Sequence, residues 1–78
     1  MPRYFLDVMT TQGPIGDPEG SVCSSLDAAC EEAICGAREL WAAGILSGHD
    51  RRDWRIVIRD EGGNELRTVH FEDVAQRT

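Results

Sequence analysis

Between two stretches of period-two alternation the chain carries one long segment of helical period, and that single helix limits what the chain can fold into. Advancing about 100° per residue from Leu26, the side chains of Cys30, Ala33, Ala37, Leu40, Trp41 and Ile45 fall in one apolar arc, with Glu31, Glu32, Cys35, Arg38 and Glu39 opposite. Ser24-Ser25-Leu26-Asp27 supplies its start, because a Ser oxygen accepts from an orphan amide and Asp27 sits in the positive first turn. Gly48 is the left-handed terminator, which predicts a helix of about 20 residues with Gly44 as a mild interior cost. One helix covers one face of a small sheet. The opposite face is left to water, another chain or a ligand.

The strands are read from alternation. Tyr4, Leu6 and Val8 face one way and Arg3, Phe5 and Asp7 the other; Trp54, Ile56 and Ile58 oppose Arg55, Val57 and Arg59. Residues 9 to 21 are dense in Gly and Pro, with room for a short return strand around Ile15 or Val22, and Pro14 and Pro18 favour an edge. Asp60 to Asn64 carries hairpin glycines, and Glu65 to Phe71 reads as the partner strand, with Leu66 out of phase with Val69 and Phe71 unless a bulge intervenes. Residues 72 to 78 read as a polar tail into which Val74 is tucked. The predicted fold is α+β: a small antiparallel sheet in β-β-α-β-β order with one amphipathic helix on one face, a single domain over residues 1 to 78.

Several of these residues also carry a resemblance. Met1-Pro2-Arg3-Tyr4-Phe5-Leu6-Asp7-Val8, the Asp17-x-x-Gly20 turn, Leu26-Asp27-Ala28-Ala29, Ala37-Arg38-Glu39-Leu40, and Asp60-Glu61-x-Gly63-x-x-Leu66 with Val69-x-Phe71 form the pattern. It resembles a family of short rhizobial and other alphaproteobacterial proteins that begin in this way, a domain of unknown function. The resemblance implies no catalytic or binding residue.

Charge and residue spacing exclude more than they assign. Fourteen acids against eight bases, all arginine, leave a net charge of −6, which disfavours non-specific binding to nucleic acid. Cys23, Cys30 and Cys35 match neither a disulfide framework nor the close pairs of a zinc site, and His49 and His70 stand far apart in sequence. No metal or other cofactor is expected. Cys35 lies on the polar arc among Glu31, Glu32 and Glu39, which disfavours its thiolate, while Cys30 reads as a small core residue. No phosphate loop, nucleophile elbow or metalloprotease helix occurs, so no catalytic residue is assigned and the chain is not expected to be an enzyme. No apolar run approaches a membrane span, and the N-terminus lacks the apolar stretch of a signal peptide; the expectation is a cytoplasmic protein.

What remains is a surface. The face away from the helix is expected to hold Phe5, Val57 and either Leu66 or the pair Val69 and Phe71, rimmed by Arg3, Arg55, Arg59 and Asp7. An apolar centre with a charged rim is the anatomy of an interface, and a core this small gains from association. Phe5, Arg55, Val57, Arg59, Val69 and Phe71 are therefore the candidate interface of a non-catalytic module that forms a homo-oligomer, through this open face or an edge strand, or binds a small protein partner. The alternative is a regulatory nucleic-acid or antitoxin-like binder using Arg51, Arg52, Arg55 and Arg59 beside Trp54.

Overall fold

The computed structural model describes residues 2–76. β1 (Arg3–Thr10), β2 (Gly13–Ile15) and β3 (Ser21–Val22) precede α1 (Leu26–Leu46), and β4 (Arg55–Arg59), β5 (Glu65–His70) and α2 (Phe71–Gln76) follow it. All strand pairs are antiparallel, in the order β2-β1-β4-β5, with β3 paired to β1 beside that path. The expected α+β class and strand–helix succession hold. The return strand is split in two, so that Ile15 lies opposite Val8 and Val22 opposite Arg3. Asp17 bridges the split: its carboxylate accepts Leu6 N–H and Gly20 N–H, each at 3.2 Å, giving backbone donors a partner where strand pairing lapses.

Local chemistry sets the ends of α1. Ser25 is extended and its Oγ accepts Ala28 N–H at 3.1 Å, the N-cap arrangement. At the other end Gly48 turns left-handed, with φ +75°, just past the cap residue Ser47. The last turn of α1 has no basic residue. Arg51 folds back from the following loop and donates from Nη1 to Leu40 O at 2.8 Å. Gly44 makes room for it, since a Cβ there would stand 2.8 Å from Arg51 Cδ.

The core lies between α1 and one face of the sheet. Ala29, Ala33 and Ala37 are fully buried, and their small side chains bring the helix close to Tyr4, Ile56 and Ile58. Leu6, Val8, Leu26, Cys30, Leu40 and Trp41 pack around this centre, as strand alternation and helical period require, but Ile45 of the expected apolar arc is 61% exposed.

Two readings of the C-terminal stretch need correction. Phe71 is not on the face away from the helix: β5 ends at His70, Phe71 N–H donates to Trp54 O at 3.1 Å, and the Phe71 ring is fully buried 5.9 Å from that of Trp54. The tail expected over residues 72 to 78 is helical as far as residue 76, with Val74 tucked in as expected, and residues 77 and 78 lie outside the described residues. Phe71 and Val74, three apart on α2, turn one side of that helix into the core and seal its end, while Glu72 and Asp73 suit its positive first turn. Val69 also sits on the helix side, opposite Ile56. A register shift resolves the phase: Ile58 pairs with Arg67 and Arg59 with Glu65, so Leu66 is the extra residue of a bulge.

Candidate functional site

The centre of the sheet face away from α1 is covered by its own side chains, while Val22 at its edge, opposite Arg3, is exposed. Across β1, β4 and β5 it carries Phe5 opposite Arg59, Asp7 opposite Val57, Val57 opposite Thr68, and Arg55 between Met9 and His70. Arg59 Nε donates to Asp7 Oδ2 at 2.6 Å, and its guanidinium lies 5.8 Å from the centre of the Phe5 ring. Asp7 Oδ1 also accepts Asp17 N–H at 3.0 Å. Burial alone would raise the Asp7 carboxyl, but the bond from Arg59, the Asp17 amide and the guanidinium charge outweigh it and hold the carboxyl below its ordinary range. Val57 is only 6% exposed at the centre of this face. Of the six interface candidates, Val57 is buried, Phe5 and Arg59 are tied to their neighbours, Arg55 is half-buried, and Val69 and Phe71 belong to the opposite side.

The four arginines between residues 51 and 59 do not form one patch. Arg51 is spent on Leu40 O and the Trp54 ring, 4.5 Å from its centre. Arg52 pairs with Asp50 at 3.6 Å and Arg59 with Asp7. Trp54 is half-buried between Arg51 and Phe71, so it offers no free platform for a base.

A different surface is open. α1 packs mainly over β5 and β4 and touches β1 less. Four strands about 4.8 Å apart are wider than the roughly 10 Å that a helix covers, so part of the helix-side face stays bare. That part is a groove of about 400 Å³ beside α1, floored by Leu6, Val8 and Ile56 and walled by Gly36 and Leu40. Ile15, opposite Val8 and therefore on the same face, extends the floor and is 57% exposed. The charged residues lining the groove are both carboxylates, Glu32 and Glu39, with Cys35 between them. Helical periodicity does not report this shelf, because the lateral position of a helix on a sheet has no local signature. Comparing strand count with helix width would have pointed to it.

A second, more polar cavity of about 410 Å³ lies between Thr10–Gln12 and Gly48–Arg51, beside Trp54. His49 is there, but His70 is on β5, and among the described residues no three His, Cys, Asp or Glu gather as metal ligands. The cysteines are free: Cys35 exposed, Cys30 half-buried under Arg67 Nη1 at 3.5 Å, Cys23 buried. Burial first, then the bond from Cys23 Sγ to Glu32 Oε2 at 3.3 Å and that carboxylate's charge, push the Cys23 thiol up. Among the described residues no helix is long and apolar enough to cross a membrane.

No curated protein and no solved structure matches the chain. One family model does, from Arg3 in β1 to Glu72 in α2, and it takes in both the shelf and the Asp7–Arg59 pair. The chain belongs to the family described as a domain of unknown function (DUF6894), matched over residues 3–72.

Proposed function

We propose that this chain is a non-catalytic interaction module that binds another protein through the helix-side shelf. One observation carries the reading: α1 leaves Leu6, Val8 and Ile15 partly bare on the face that holds the core, so a continuation of the core is missing its cover. The covered centre of the far face supports this over the open-face interface, because Val57 is already buried and Arg59 already paired. Edge pairing through β5 gains less support, since that strand carries a bulge and Arg67, both features that blunt an edge. Nucleic-acid binding gains less as well, with Trp54 engaged and a net charge of −6.

Site-specific photocrosslinking tests the reading. A benzophenone side chain at position 15 is expected to give a discrete higher-mass protein adduct in cells that make the chain at its native level, and none at position 68 on the far face. Absence of an adduct from position 15, or equal yield from both positions, overturns it.

A further inference from the structure

We propose that the shelf seats an amphipathic helix of a different protein, lying alongside α1 and carrying Lys or Arg one heptad apart. This rests on the interaction module above and specifies the chemistry of its partner. The width of the bare strip argues for a helix. With α1 mainly over β4 and β5, the sheet left beside it is β1 and, along Val8–Thr10, β2, a strip about 10 Å wide there, the footprint of one more helix. The wall argues for close approach, since Gly36 presents no side chain and a Cβ there would come no nearer than 3.9 Å to Ile56 Cδ1.

Charge argues for the sign of the partner. Glu32 and Glu39 are seven residues apart, so they project from one side of α1 about 10.5 Å apart along its axis. Among the described residues neither is in an ion pair; Glu32 accepts only from the neutral donors Ser21 Oγ and Cys23 Sγ. Cations at i and i+7 of a neighbouring helix would meet both carboxylates while its apolar stripe lies on Leu6, Val8 and Ile15. A second copy fits badly. Its own helix presents Glu31, Glu32 and Glu39, and its net charge is −6, so carboxylate would meet carboxylate. The same two carboxylates repel a phosphate backbone.

The test uses the full chain, ¹⁵N-labelled, and two synthetic amphipathic peptides of about 18 residues with a leucine stripe, one with lysines at heptad spacing and one with glutamates there instead. The lysine peptide is expected to shift the amides of Leu6, Val8, Ile15 and Gly36, and the glutamate peptide to leave them in place. Glu32→Gln with Glu39→Gln is expected to weaken lysine-peptide binding roughly tenfold, while Glu72→Gln on α2 leaves it unchanged. Ile15→Ser, at a position 57% exposed, is expected to weaken it as well. Equal binding of both peptides overturns the basic chemistry. Shifts scattered over the surface and indifferent to Glu32 and Glu39, or no binding of either peptide at roughly 1 mM, also overturn the proposal. A dimer that buries Ile15 in sedimentation and exchange measurements assigns the shelf to a second copy and overturns it too. A negative peptide result with a positive crosslink from position 15 removes only the basic helix; loss of both removes the module.

Discussion

Arg59 Nε lies 2.6 Å from Asp7 Oδ2, one strand over and two residues along from its own partner Phe5, and this diagonal bond lies across the face opposite the helix. Arg59 side-chain exposure of 34% against 14% for Asp7 means that the carboxylate is the better-buried partner. Charges expected from the sequence to rim an interface instead neutralise one another above Val57. The face behaves as a second, thin layer of packing.

Asp7 has a depressed folded-state pKa, so its contribution to stability is present above the unfolded carboxyl value of about 3.9 and is lost as pH falls through the lower folded value. Asp60 has the same sign, held down by the side chain and amide of Asn64 in the hairpin. Thermal midpoints are expected to be flat above about pH 5 and to fall below about pH 4, with a shallower fall in Asp7→Asn. At neutral pH Asp7→Ala is expected to cost about 1 kcal/mol after allowance for solvent screening. An unchanged acid limb in Asp7→Asn would remove the role given to this pair.

Val57→Glu places a carboxylate at a position 6% exposed between Asp7 and Thr68. The expected result is loss of the folded state, at a cost of about 3 kcal/mol or more, rather than a folded monomer. Thr68→Glu, its exposed neighbour on β5, is expected to melt within a few degrees of the parent by circular dichroism.

Phe71→Ala empties the seal that α2 forms against Trp54 and the core. A loss of about 3–5 kcal/mol is expected in urea titration, comparable with the whole stability of a domain this small. A loss below about 1 kcal/mol would mean that α2 is not part of the cooperative unit.

Gly20 has φ +69°, and a Cβ there would stand 2.8 Å from Tyr4 O and 3.0 Å from Phe5 Cε1. Gly20→Ala is expected to destabilise by at least about 1–2 kcal/mol from the left-handed backbone alone. Gly16→Ala in the same loop, with open space around it, is the control and should change far less.

Maleimide labelling followed by peptide mapping is expected to modify Cys35 first, Cys30 more slowly and Cys23 last. The raised Cys23 thiol contributes stability below the unfolded thiol value of about 8.5 that is lost as pH rises through the folded value. Cys23→Ala should therefore flatten the alkaline limb of the stability profile.

The elements of this fold were legible because their signals are local. Alternation in Tyr4–Val8 and Trp54–Arg59, the Ser25 cap, the Gly48 stop and the Asp60–Asn64 turn each act within a few residues, and each lies where its chemistry predicts. The Phe71–Val74 turn of helix was hidden because six residues are too few for a period to emerge beside the strand that precedes them. The candidate site was legible only in part. Phe5, Val57 and Arg59 were placed on the correct face, but whether that face was open depended on a bond between residues 52 positions apart.

The sequence by itself determined β1, β4 and the long helix α1, which side of each of these three turns inward, and that one long helix is the main cover of the sheet. Tertiary structure decided where across the sheet that helix rests, which glycine admits Arg51, and which face stays bare. The physical reason is range: caps, turns and periodicity are set by neighbours along the chain. Lateral packing is set by volumes and charges that meet only after the chain has closed on itself.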